Sequence, residues 1–245
     1  MKQNNAVLSD QVDVLTALFK GLYQHVDVNP VNTQGMHVRV HEESSTREVE
    51  AILPPRVFFG FVDPPDFLTE DVVPIDRDKE IAAIQASQIP HLIHPTDLTK
   101  QELIDEVCRD MNGSAFQVIW LSGHGIRESG IIMADGEVLD ERFFGYMFGT
   151  YPVELVVLMH CYSWKLARNI VYADGVHWSI GMSSVIEDDS AIHFTRTFCT
   201  QLSQRKRLTN ANVTKAFDTA LLSVDLDYRS HIWLYKSNDV LQNKT

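Results

Sequence analysis

Residues 116–125 read FQVIWLSGHG, and residues 154–163 read ELVVLMHCYS. Each is a short, mostly apolar run that stops at a reactive side chain, His124 in the first and Cys161 in the second. Continuous apolar runs of this length, bounded by turn residues, are expected for strands buried on both faces of a parallel sheet. In open sheets of that kind, functional side chains gather at the carboxyl ends of the strands. If the two runs are sheet neighbours, His124 and Cys161 emerge on one rim.

The surrounding sequence keeps the same rhythm. Between the two runs, residues 131–138 (IIMADGEV) place Asp-Gly between apolar stretches, a hairpin signal, and a helix is predicted over 140–149. Upstream, residues 56–62 (RVFFGFV) read as a buried strand ended by Asp63-Pro64-Pro65-Asp66. A helix over 76–87 and a short strand over 89–94 follow. Thr99 and Glu102 have the spacing of a capping box and open the helix that carries Cys108. Downstream, a helix from Cys161 to about residue 172, a strand over 176–186, helices over 188–204 and 210–223, and an edge strand over 231–235 complete the pattern. Strands alternating with helices imply a mostly parallel sheet with helices on both faces. Residues 8–24 form an amphipathic pattern on Leu8, Val12, Leu15, Phe19 and Leu22, and Met36, Val38 and Val40 alternate as in a strand. Pro54-Pro55 marks the expected border between an N-terminal extension, 1–54, and the main domain, 55–245.

Charge and composition exclude several functions. The chain has 33 acidic and 21 basic residues, a formal charge of -12. Nucleic-acid binding draws on Lys and Arg against phosphates, so this balance argues against it; Arg205-Lys206-Arg207 reads as a solvated helix end. No apolar run approaches the roughly 20 residues a membrane helix needs, and the polar N-terminus lacks a signal-peptide layout. The expected location is cytoplasmic. Three widely spaced cysteines then read as reduced thiols. Cys108 falls in the helical stripe Leu103, Ile104, Val107, Met111, and Cys199 beside the stripe Ala191, Phe194, Phe198, Leu202. Only Cys161 sits where a strand ends.

A thiol attacks as thiolate, and an unperturbed pKa near 8.5 leaves only a few per cent ionised at neutral pH. A neighbouring imidazole takes that proton and later protonates the leaving amine. The glycines flanking His124 suit a tight turn near substrate. The backbone amides of Gly125 and Cys161 are candidates to hold the oxyanion, and a helix starting at Cys161 would lower its pKa. Read singly, a Gly-His-Gly turn is common, and a cysteine after an apolar strand is more often a buried thiol.

The segments 120–125 (WLSGHG) and 155–163 (LVVLMHCYS) resemble the His-Gly and Cys-x-Ser motifs of CHAT domains, the caspase-like peptidases related to separases. The resemblance extends to residues 56–66 with Glu80 near a helix start, to residues 179–188 with Phe194 and Phe198, and to the helix over 210–223. It covers roughly residues 56–223. It implies an α/β, caspase-like three-layer sandwich, a His124–Cys161 dyad, a protein substrate and no cofactor. It also implies a regulated effector of bacterial defence or conflict systems; with no fused sensor module here, the activating sensor would be a separate protein.

Two positions depart from the pattern or bear on specificity. His160 stands directly before Cys161, either tuning the thiol or bonding behind it. Clan relatives that cut after Arg or Lys place an acid in the first specificity pocket, because a buried cation needs a partner. Glu187, Asp188 and Asp189 follow the last parallel strand, where they are either helix caps or that acid; Asp188, Asp189 and Ser163 are taken as substrate-binding. Arg127, Arg142 and Arg205 are candidate sites of self-cleavage. Three other classes compete. One is a catalytically silent adaptor of the same fold. Another is a metal protein using His124, His160, Cys161 and His177, with His91 and His94, although no recognised ligand spacing is present. A phosphate-binding domain would want a glycine-rich loop where Asp63-Pro64-Pro65-Asp66 stands.

Overall fold

In a computed structural model, the residues described are 54–62, 76–108, 116–126, 130–172 and 176–237. The chain divides into two units, Met1–Val49 and Glu50–Thr245, and every described residue belongs to the second. The predicted helix over 8–24, the alternating stretch from Met36 to Val40, the Asp63–Asp66 loop and Arg127 lie outside the described residues.

Six strands form the central sheet. Val57–Val62 (β1), His91–Asp97 (β2), Val118–Gly123 (β3), Leu155–Met159 (β7), Trp178–Met182 (β8) and Ile232–Lys236 (β9) lie in the order β2-β1-β3-β7-β8-β9. The first five run parallel, and β9 closes the edge antiparallel to β8. All residues of β1, β3, β7 and β8 are buried, as strands covered on both faces must be.

Alternation along these strands builds two cores. Phe59, Phe61, Trp120, Val157 and Ile180 face one layer. There they meet Ile84 of Arg77–Ala86 (α1), Phe194 and Phe198 of Asp188–Ser203 (α5), and Val213 and Phe217 of Asn210–Leu222 (α6). Phe58, Val62, Ile119, Leu121, Val156 and Leu158 face the other layer. Their partners are Leu103 of Lys100–Cys108 (α2), Phe144 and Phe148 of Glu141–Thr150 (α3), and Leu166 and Ile170 of Trp164–Ile170 (α4). The result is the three-layer α/β sandwich expected, with helices on both faces.

Local signals act as read. Thr99 and Glu102 bond reciprocally: the Thr99 amide donates to Glu102 Oε2 at 2.9 Å, and the Glu102 amide to Thr99 Oγ1 at 3.2 Å. The Asp-Gly signal turns between Gly130–Ile132 (β5) and Val138–Leu139 (β6), with Gly136 at φ 79°. Gly125–Ile126 (β4) joins them in a small antiparallel sheet. That two-residue strand, and the one-turn helix Leu226–Arg229 (α7), are too short to leave a periodic signature. The strand predicted over 176–186 is confined to β8. The helix predicted from Cys161 begins only at Trp164. Both differences occur at the candidate site.

Candidate active site

The sheet register brings the two motif residues together. β3 and β7 are parallel neighbours whose last matched pair is Ser122 with Met159. His124 and Cys161 each lie two residues beyond that pair, on strands about 4.8 Å apart. They therefore leave the sheet on the same rim. Gly123 delivers His124 through a close approach of β3 to β1. A Cβ there would stand 2.1 Å from the Val62 carbonyl oxygen, and the His124 amide donates to that oxygen at 3.4 Å. Gly123→Ala must push the end of β3 off β1, so it is expected to cost about 1–3 kcal/mol of stability. Urea unfolding measures this; an unchanged midpoint would mean that β3 accommodates the methyl and that His124 is not fixed by this approach.

Cys161 opens a tight turn, not a helix. Tyr162 has φ 60°, unusual for a residue with a side chain. Such conformations cost about 1–3 kcal/mol and persist where the surroundings fix them. Ser163 does the fixing: its hydroxyl donates to the Leu158 carbonyl at 2.9 Å and accepts from the Met182 amide at 2.9 Å. It is 1% exposed. The hydroxyl thus ties the ends of β7 and β8 to the turn, and the residue also lines the cleft beside it. Gly181 lets α4 approach β8, since a Cβ would fall 2.6 Å from Ala167 Cβ.

The electrostatics of Cys161 also differ from expectation. Burial pushes its thiol up, and Asp188 pushes in the same direction. Hydrogen bonds from the Ile186 and Cys161 amides oppose this without reversing it. The helix start expected to lower the thiol's pKa lies three residues later, where α4 begins at Trp164. His160 turns inward. It is 2% exposed, with Nδ1 3.4 Å from the Cys161 carbonyl, and Nε2 finds no hydrogen-bond partner among the described residues. Burial, with a smaller push from the nearby His124, lowers its pKa to about 4 against the opposing hydrogen bond to the Cys161 carbonyl. His160 thus bonds behind the turn, as the plainer reading had it.

The three acids following β8 separate. Glu187 occupies the N-cap position of α5 with no capping bond from its side chain. Asp188 accepts from the Asp76 amide at 3.3 Å, and Asp189 pairs with Lys79 at 3.5 Å. Both Asp188 and Asp189 stand in the first turn of α5, where the helix dipole favours them, and their carboxylates also reach across to the start of α1. The Lys79 pair is largely exposed and contributes little. Asp188 is close enough to Cys161 to act on its thiol. Gly125 forms the first rung of β4, opposite Ile131. The cysteine turn borders a cleft of about 390 Å³ whose lining includes Asp140, Arg142, His160, Tyr162, Ser163 and Lys165. Among the described residues, no three His, Cys, Asp or Glu side chains converge as metal ligands. No helix among them is long and apolar enough to cross a membrane.

Sequence reasoning passed over one participant and gave another, Glu80, no role beyond the resemblance. The Ile186 amide leaves no sequence signal. Glu80 does leave one: a carboxylate at i, with Ala83 and Ile84 at i+3 and i+4 on the buried face of α1.

Known structures place this architecture. An inactive zymogen of a C11 protease from Parabacteroides distasonis is similar, with TM-score 0.51 and 13% identity over 78% of this chain and 64% of that one. A secreted C11 cysteine protease from Bacteroides thetaiotaomicron, in complex with an irreversible peptide inhibitor, gives TM-score 0.50 and 7% identity over 76% and 67%. The Arg-specific cysteine proteinase gingipain R gives TM-score 0.50 and 10% identity over 76% and 46%. The chain thus spans less than two thirds of the first and the last of these proteins, and identities so low speak for the caspase-like fold alone. No curated protein matches the chain. The CHAT domain model matches residues 71–234, about two thirds of the sequence and both motif residues, and the chain belongs to the CHAT domain family.

Proposed function

We propose that this chain is a cysteine endopeptidase that cleaves protein substrates through His124 and Cys161. The observation that carries the reading is the β3–β7 register, which sets both residues two positions beyond the same rung of a parallel sheet. In the working site His124 takes the Cys161 proton, and the thiolate attacks the scissile carbonyl. The resulting oxyanion is held by backbone amides at Gly125 and Cys161. Collapse expels the amine, which takes the proton from His124. Water, activated by the same imidazole, then releases the acid product and restores the thiol. This chemistry needs no cofactor.

The resting thiol is pushed up by burial, the opposite of what an attacking cysteine needs. This fits a latent cytoplasmic effector, switched on by a separate sensor protein, in a bacterial defence or conflict system. The same observation favours a second reading, a catalytically silent adaptor that retains the fold.

Asp188 is close enough to act on the Cys161 thiol, so the substrate carries Arg or Lys before the cut. A diverse peptide library, read by mass spectrometry with and without lysate of the source cell, tests both points. Cleavage lost in Cys161→Ala and His124→Ala supports the enzyme, whereas identical patterns in all three proteins support the adaptor. Asp188→Asn is expected to reduce cleavage after basic residues by about a hundredfold or more, because it leaves a cation unpaired. Unchanged preference in that variant would remove Asp188 from the specificity pocket.

A further inference from the structure

Glu80 lies inside the domain, 5% exposed, on the face of α1 that carries Ala83 and Ile84. A carboxyl so placed needs partners. Ser122 Oγ donates to Glu80 Oε2 at 2.7 Å, and Thr195 Oγ1 to Glu80 Oε1 at 3.3 Å. Ser122 is on β3, two residues before His124; Thr195 is on α5, whose first turn holds Asp188. A single carboxyl thus joins the strand that ends at the histidine to the helix that begins beside the cysteine. The start of α1 makes a second junction with the same helix, from the Asp76 amide to Asp188.

We infer that Glu80 is a positioning residue of this site, holding the His124 strand and the Asp188 helix in register through the hydroxyls of Ser122 and Thr195. The inference rests on the peptidase reading for its meaning. Ionised, Glu80 offers only acceptors and matches two hydroxyl donors. Protonated, it can donate to the Thr195 oxygen in place of accepting from it, and the bond from Ser122 loses the charge assistance that a carboxylate gives. Thr195 has an alternative acceptor in the Ala191 carbonyl at 2.9 Å. Deprotonation therefore tightens the junction.

The groups facing the carboxyl, among the described residues, are Ser122 and the Trp120 indole from β3, and Thr195, Asp188 and the Cys199 thiol from α5. Burial, with a smaller push from Asp188, outweighs the hydrogen bonds from Ser122, Thr195 and Trp120 and leaves Glu80 raised to about 7. Glu80 in turn helps to push the buried Cys199 thiol up. The junction accordingly changes state near neutral pH.

Alkylation of Cys161 by iodoacetamide tests this without any substrate. The full chain is labelled between about pH 5.5 and 8.5, and the site is resolved by peptide mass mapping. A thiol titrating above this range gives about tenfold per pH unit. The wild type is expected to climb more steeply than that below about pH 7, where Glu80 also titrates, and to return to the simple slope above it. Glu80→Gln is expected to keep the simple slope throughout and to react about tenfold more slowly at pH 8. Superimposable profiles from two folded proteins would overturn the inference. If Glu80→Gln fails to melt cooperatively, Ser122→Ala and Thr195→Ala each remove one arm of the junction. Wild-type profiles from both would be equally fatal. A silent adaptor would still show the extra step, so failure of the peptidase reading, seen in the peptide library, remains distinguishable.

Discussion

In the activated protein, Cys161→Ala and His124→Ala are each expected to lower kcat on a cleavable peptide by about 10⁴- to 10⁶-fold, and the double variant to lose little more. The reasoning is that nucleophile and base act as one unit. Without the thiol there is nothing for the imidazole to activate, and without the imidazole the buried thiol stays protonated. Independent residues would instead multiply their losses. The shared rim of β3 and β7 makes the unit geometrically reasonable. The upward push on the Cys161 thiol makes the base indispensable. Single-turnover measurement on a peptide taken from the library separates chemistry from product release. A double variant that loses the product of the two single factors would show that His124 and Cys161 act separately, and the dyad would have to be abandoned.

Much of this site was legible because each half is announced by a strand that cannot face water. Residues 116–122 and 154–160 are too apolar to sit on an edge, and in the sheet β3 and β7 are central. The glycine before His124 was read as a tight turn; its sharper reason, contact with the Val62 carbonyl, needs the third dimension. What the sequence concealed lies in short irregular segments. Tyr162 adopts φ 60° without being Gly or Asn, so the turn that delays α4 carries no residue signature. The strand predicted over 176–186 ran long because Val185 and Ile186 are apolar; they leave the sheet so that the Ile186 amide can reach the thiol. Ser163 looked like a substrate contact from its motif. Its hydroxyl is instead tied inward, to the Leu158 carbonyl of β7 and by the Met182 amide of β8, and the second partner, nineteen residues on, leaves no local pattern.

Glu80 and His160 are expected to give the wild type a deceptively flat stability profile in mild acid, and single variants to expose two opposed slopes. Glu80 is raised from 4.5 to about 7 on folding. The folded state keeps the proton where the unfolded state has released it, so its contribution is full below pH 4.5 and is lost as pH rises through about 7. His160 is lowered from 6.5 to about 4. Here the unfolded state takes up a proton that the folded state refuses, so its contribution is full above pH 6.5 and is lost as pH falls towards 4. Each shift corresponds to about 3 kcal/mol, and across the overlap they nearly cancel. Glu80→Gln should therefore become more stable with rising pH between about 4.5 and 6.5, and His160→Gln less stable, relative to wild type. Combining the two should restore the flat curve, since the residues are on different elements and share no hydrogen bond in the described set. Urea unfolding at several pH values measures all four proteins. If Glu80→Gln tracks the wild type across this range, the carboxyl is not held protonated in the folded state. The junction between the His124 strand and the Asp188 helix would then keep one form at every pH in which the protein works.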